Sequence, residues 1–315
     1  MPPGLRLKAI PSSAIKSTSF RIGAGTSAGH VLVNRWSSTY TAPTSELPSL
    51  KLLVHRHLTG SGPDAFVPYD TANNEQEELR SLFLEWKSLS EEQQQHRGHI
   101  PRPHLLSFEP TPTLTLGRRQ RPLTSEQTSY FKSPLYVSLP HRRNPVNEQG
   151  FIPEVKQTSR GGLTTYHGPG QLVLWPVLDM HSPLYAHYSV MSYANHLEAT
   201  TRRLLACLFG LETYTTRDEP GVWVPLGIAI NIDVSVDGPD VVNPWARFVP
   251  CGLEGKLVTS VAAELAMKDG IARLGGWNTA SLAAVWAKIF EEGIVDDTKR
   301  SIDGEGSSQF RRAAS

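Results

Sequence analysis

Residues 160–171 read Arg-Gly-Gly-Leu-Thr-Thr-Tyr-His-Gly-Pro-Gly-Gln and run directly into the apolar segment 172–178. No other stretch restricts the fold as much. Four glycines within residues 160–170 let the backbone adopt positive φ and approach a ligand or a neighbouring strand closely. The apolar run behind them has the length and content of a buried strand. The loop presents one guanidinium (Arg160), one imidazole (His167) and the hydroxyls of Thr164, Thr165 and Tyr166. Taken alone, it serves equally well as a tight inter-strand connection or as a ligand cradle. It matches neither G-x-x-x-x-G-K-[ST] nor G-x-G-x-x-G, so a nucleotide is not what it specifies.

Around this loop the pattern alternates between strands and helices. Residues 52–54 suggest a short strand. Leu79, Leu82, Phe83, Trp86 and Leu89 recur at helical spacing, predicting an amphipathic helix over about 73–95 that gives way to a Gln- and Pro-rich loop over 91–104. Residues 113–116 read as a strand entering a turn at Gly117, ahead of Arg118 and Arg119. Residues 141–159 are polar and irregular, as in a surface insertion. A second helix is expected over 189–209, with Val190, Tyr193, Leu197, Leu204, Leu205 and Leu208 facing inward and Gly210 stopping it. Residues 222–236 are strand-rich, and further helices are expected over 258–267 and 281–291. No repeat occurs. The expectation is a mixed α/β fold, a central mixed sheet flanked by helices, as one catalytic domain over 50–293 with a polar tail over 294–315.

Composition removes several function classes. A formal net charge of +1 over 315 residues lacks the basic excess of a nucleic-acid-binding surface. No run reaches the ~18 apolar residues of a membrane helix. Two cysteines, Cys207 and Cys251, make neither a disulfide framework nor a cysteine-rich metal site. Cys207 sits in an apolar helical run and reads as a small core residue. Cys251 sits in the turn Pro250-Cys251-Gly252, where a nucleophile and a structural thiol are both reasonable readings. Residues 1–45 contain Arg6, Lys8, Lys16, Arg21 and Arg35, many hydroxyls and no acid before Glu46. That is the composition of a mitochondrial transit peptide.

Together, residues 160–171 with the strand after them, residues 250–260 and residues 108–119 resemble, in order, the signature segments of the octanoyltransferase family. The resemblance covers most of 50–290. It implies a fold shared with lipoate and biotin ligases. It also implies transfer of an octanoyl group from octanoyl-acyl carrier protein to a lysine of lipoyl domains, those of 2-oxoacid dehydrogenase complexes and of the glycine cleavage H protein, with no metal or other cofactor. Cys251 matches the cysteine that carries the acyl group as a thioester, a chemistry that keeps the acyl group activated for the amine. Arg160, Gly161, Gly162, Leu163, Thr164, Thr165, Tyr166 and His167 match the loop lining the acyl pocket, with His167 a candidate proton shuttle. Gly227, Ile228 and Ala229 match a further substrate-lining stretch that Asn231 continues.

One departure is decisive for activity. The family places a lysine-bearing segment and a hairpin partner between its Gly-Val-Trp-Val strand and its His-Gly-Leu-Ala-Leu-Asn strand. Here Gly221-Val222-Trp223-Val224 passes through Pro225 straight into Leu226-Gly227-Ile228-Ala229-Ile230-Asn231, and no lysine lies between Arg217 and Lys256. Pro225 interrupts an otherwise continuous strand pattern, although proline is excluded from central strands. A piece lost at this join, as by a skipped exon, accounts for both features. A cysteine of pKa about 8.5 is only about 3% thiolate at pH 7, and a neighbouring ammonium that lowers it to about 6.5 raises this to about 75%. The loss therefore costs roughly 25-fold in thiolate. Two other readings compete: a scaffold that binds carrier protein or lipoyl domains without turnover, and an ATP-dependent lipoate ligase, which needs no cysteine. Lys256 as a substitute lysine competes with a solvated surface role.

Overall fold

The computed structural model describes residues 51–61, 65–213, 228–250, 258–269, 274 and 276–313. Residues 1–45, residues 214–227 (which include Pro225 and Gly227), Cys251 and Lys256 lie outside the described residues.

The largest sheet has strand order β1-β2-β8-β9. Its strands are β1 (Val54–His57), β2 (His104–Phe108), β8 (Gln171–Val177) and β9 (Ile228–Asn231). β1 and β2 run parallel, and β2–β8 and β8–β9 antiparallel, so the sheet is mixed. Alternation along each strand decides which face each residue joins. Leu105, Leu172, Leu174, Ile228 and Ile230 enter the core shared with α4 (Val190–Phe209) and α6 (Thr279–Ala313). Leu106, Phe108, Val173 and Trp175 enter the opposite core, against α1 (Tyr69–Ser88). Helices thus cover both faces, and β8 is buried at every residue, which is why it reads as a continuous apolar run.

A second sheet, β6-β3-β7, comprises β3 (Thr113–Leu116), β6 (Glu154–Gln157) and β7 (Thr164–His167). The hairpin β4–β5 (Leu135–Leu139, Val146–Phe151) joins it around a separate core that includes Leu114, Leu116, Leu139, Tyr166 and Val234. The chain crosses between the sheets twice, at β2→β3 through Pro110 and at β7→β8 through Gly168–Gly170.

Several expectations hold. β3 occupies 113–116 as expected, and α4 starts from the Ser189 cap and ends at Gly210 in the left-handed region, φ 61°. Others are corrected. The single helix expected over 73–95 is two, α1 and α2 (Glu91–Arg97), because Ser90 and Gln93 form a capping box that restarts the helix, and Gly98 ends it at φ 67°. Residues 91–97 are therefore helical and not loop. Residues 141–159 are no insertion, since they supply β5, β6 and the interior ion-pair residue Arg142. Residues 294–313 continue α6 instead of forming a tail, and Ile294 is fully buried. Val190 and Leu82, expected inside, are exposed. Cys207 is likewise exposed.

Candidate functional site

Strand alternation divides the glycine-rich segment between two environments. β7 pairs with β3 so that Thr164, Thr165, Tyr166 and His167 face Leu116, Thr115, Leu114 and Thr113. Tyr166 points into the apolar core with Leu114 and Leu116, its ring edge-on to Trp245 at 5.6 Å. It is a packing residue, and burial raises its hydroxyl pKa. The alternate residues Thr113, Thr115, Thr165 and His167 form the polar face of the same sheet. That face meets α1, where the Tyr69 ring lies 5.9 Å from His167.

Arg160 is buried, and its guanidinium is committed to this face. Nε donates to Thr115 Oγ1 at 3.0 Å, Nη2 to the carbonyls of Thr115 and Leu163 at 2.6 Å each, and Nη1 to the Gly161 carbonyl at 3.0 Å. A planar fork with several fixed donors suits this role better than a lysine would. Arg160 shapes the loop by collecting its carbonyls. Gly161, Gly162, Leu163 and Thr165 remain half-buried at its lip. Gly117 has no room for a side chain, because the Gly161 and Gly162 carbonyls approach it directly.

The second half of the loop is tied down by two buried polar side chains. Glu109, just past β2, accepts the Gly170 N–H at 2.8 Å through Oε1, while Oε2 lies 3.0 Å from Arg142 Nη2. Gln171 accepts from Gly168 N at 3.1 Å and donates to Asn231 Oδ1 at 2.7 Å, and Asn231 donates onward to the Thr259 carbonyl at 3.0 Å. Gly170 at φ 82° fits against the Val234 backbone and the Leu139 side chain. The glycines are thus close-approach positions between three elements.

His167 is the chemically open member. It is buried, its Nδ1 has no hydrogen-bond partner among the described residues, and burial together with Arg160 lowers its pKa to about 3. It is neutral at any working pH. A buried ring nitrogen left unpaired costs free energy, so His167 Nδ1, which accepts or donates according to the tautomer, can pair with a group from beyond the described residues. Lys156 on β6 pairs with Thr115 and belongs to the same sheet face. Its ammonium is held by Asp70 at 2.6 Å and Glu154 at 3.0 Å, and the Asp70 hydrogen bond raises its pKa.

Of the residues singled out in the sequence, the structure brings together Arg160–His167 with Asn231 through Gln171. Ile228 lies in the core and Ala229 on the face toward α1. Sequence reasoning misses Glu109, Arg142 and Lys156. Glu109 lies inside one of the family-like stretches, but a lone carboxylate before Pro110 carries no sign of its buried partner. Among the described residues no cluster of three metal-ligating side chains exists.

A mixed sheet covered by helices thus carries a buried glycine-rich platform that holds one arginine and one imidazole. Residues 85–239 match the family model of the lipoyl protein ligase A/B catalytic domain. The Desulfotalea psychrophila octanoyltransferase is 31% identical over 218 residues, covering 65% of this chain and 87% of that protein. The chain belongs to the octanoyltransferase family. The Rickettsia felis octanoyltransferase is 32% identical over an alignment of 143 residues that covers 38% of this chain, and the chain spans 64% of that relative's length. Among solved structures, the T. acidophilum putative lipoate protein ligase with bound lipoic acid aligns with a TM-score of 0.38 and 13% identity, covering 70% of this chain and 80% of that one.

Proposed function

We propose that this protein transfers an octanoyl group from octanoyl-acyl carrier protein to the lysine of lipoyl domains, including those of 2-oxoacid dehydrogenase complexes and the glycine cleavage H protein. Family membership supports the reaction class. The buried Nδ1 of His167, without a partner among the described residues and on the polar face beside Arg160, is the observation that carries the reading.

In this reading Cys251 attacks the donor thioester. The carrier thiol leaves, and the acyl group sits on the enzyme as a thioester of similar energy. The acceptor amine then attacks that thioester, forming the amide and returning Cys251 as thiol. The lip formed by Gly161, Gly162, Leu163 and Thr165 borders the acyl chain and Ala229 continues the lining, while Ile228 packs on the opposite face of β9 and Gly227 joins the lining on the family resemblance alone. Arg160 and Thr164 hold the loop in shape, the latter by donating to Gln120 at 2.9 Å. His167, with a pKa of about 3, is too weak a base to store a proton at neutral pH. Its part is to accept a hydrogen bond from the incoming thiol or amine and orient it.

A second reading has its own observation: no lysine lies between Arg217 and Lys256. In it, the chain binds carrier protein or lipoyl domains without turnover. Intact-mass spectrometry after incubation with octanoyl-acyl carrier protein decides between the two. A gain of one octanoyl group that disappears in Cys251→Ala supports transfer. A folded protein with no adduct supports the scaffold. We further propose a mitochondrial location, from the basic, acid-free residues 1–45. A fluorescent fusion of these residues that stays cytosolic would reject it.

A further inference from the structure

The turn that follows β3 carries Arg118, Arg119 and Arg121, all exposed. None of the three has an ion-pair partner among the described residues. The next acid along the chain, Glu126, accepts instead from Thr124 Oγ1 at 3.3 Å. Three guanidiniums within four residues, in a chain of net charge +1, are a local concentration and not part of a generally basic surface. Such crowding repels itself, and the described residues offer it no counter-ion.

The turn is also fixed with respect to the glycine-rich loop. Gly117 N donates to the Leu163 carbonyl at 3.2 Å, Arg118 N to the Arg160 carbonyl at 2.9 Å and Arg119 N to the Gly162 carbonyl at 3.2 Å. Thr164 Oγ1 donates to Gln120 Oε1 at 2.9 Å. The carbonyls of Gly161 and Gly162 close against Gly117. The backbone that carries the arginines is thus part of the lip of the candidate site.

We propose that Arg118, Arg119 and Arg121 are the docking rim for the acyl donor, a carrier protein that presents carboxylates around the phosphate-bearing arm holding the thioester. This rests on the octanoyl-transfer reading. Guanidinium forks match carboxylate and phosphate oxygens in pairs. The acceptor does not fit the same rim. Its reacting group is a lysine ammonium, which three uncompensated guanidiniums repel, whereas the donor's reacting group is a neutral thioester on an anionic arm. The rim therefore favours one of the two protein substrates and leaves the other to approach from elsewhere.

The test is calorimetric titration of the full chain with octanoyl-acyl carrier protein and, separately, with a lipoyl domain, at low and at moderate salt. The Arg118→Glu/Arg119→Glu/Arg121→Glu variant is expected to bind the carrier protein at least about ten-fold more weakly, with its salt dependence largely gone, an unchanged melting temperature and undiminished lipoyl-domain affinity. Should that variant fail to fold, the Arg→Gln set at the same positions keeps the side-chain bulk and is expected to weaken carrier binding in the same sense. Undiminished carrier affinity in a folded variant overturns the docking rim, as does a loss confined to the lipoyl domain or an unsubstituted chain that binds no carrier protein. An unsubstituted chain that binds the carrier through these arginines yet transfers no octanoyl group rejects the reaction and leaves the docking rim standing.

Discussion

The carboxylate of Glu109 and the backbone N–H of Gly170, 61 positions apart in the chain, meet at 2.8 Å in the interior. The same carboxylate faces Arg142 at 3.0 Å, whose guanidinium lies 5.1 Å over the Phe66 ring. One buried anion thus fastens the end of β2, the turn of the β4–β5 hairpin and the glycine-rich loop.

Glu109→Ala is expected to cost about 3–5 kcal/mol, because it removes the carboxylate that faces a nearly buried guanidinium and accepts from a buried amide. Glu109→Gln keeps an oxygen for Gly170 and loses only the charge, so about 1–2 kcal/mol is expected. Urea unfolding of the two variants checks both the sizes and the order.

Gly117→Ala should destabilise even though its backbone conformation is ordinary. A methyl group there would overlap the carbonyl oxygens of Gly161 and Gly162, which are backbone atoms and cannot swing aside as a side chain would. Overpacking of this kind costs about 1–3 kcal/mol. The expected result is a lower melting temperature together with faster proteolysis at 160–163, with the distant α4–α6 packing unaffected.

Stability should fall on acidification well before carboxylates protonate. Burial lowers the pKa of His167 to about 3 and those of His55 and His57 to about 4, from 6.5. Between pH 6.5 and about 4 the unfolded chain takes up protons that the folded chain refuses. These groups favour the fold fully above 6.5, and that contribution drains away as pH drops toward 4. Asp233, its pKa raised by burial, works in the opposite sense, but it is one group against five, since burial also lowers the pKa values of His104 and His196. Urea midpoints at pH 7.5 and at pH 5 should differ accordingly. His57→Gln, which can still reach the Ser107 hydroxyl that His57 bonds at 2.9 Å, should reduce the difference.

What the sequence discloses follows from how local each determinant is. The strand at 113–116, the buried run after Gly170 and the Ser189–Gly210 boundaries of α4 depend on alternation, apolar content and caps a few residues away, and they are readable. The break between α1 and α2 is also written locally, in Ser90 and Gln93, but helical periodicity through Leu89 hides it. Residues 141–159 mislead because polarity ordinarily signals solvent exposure. Arg142 is polar and inside, balanced by Glu109 33 positions earlier. Arg160 and His167 stand out in the sequence as site candidates. Their division of labour, one spent on loop carbonyls and one left with an orphaned nitrogen, depends on β3–β7 pairing that no spacing encodes.

Arg247 provides the sharpest test of whether charge or donor geometry holds the fold beside this site. It is nearly buried at the end of the short 3-10 turn Pro244–Arg247. Its Nε donates to the Asp240 carbonyl at 2.9 Å, Nη1 to Phe131 and Ser133 at 3.3 and 2.8 Å, and Nη2 to Pro134 at 2.7 Å. Phe131 and Ser133 lie at the C-terminal end of α3 (Ser125–Phe131), whose last carbonyls would otherwise lack donors. Lysine at 247 would keep the positive charge favoured at a helix C-terminus, but its single nitrogen cannot reach carbonyls spread around a planar fork. If charge mattered most, Arg247→Lys would be nearly neutral. If donor geometry matters most, at least two buried carbonyls lose their partners, at about 1–3 kcal/mol each. The second outcome is expected: a loss of about 2–4 kcal/mol by urea unfolding, with hydrogen exchange quickening first at residues 131–135.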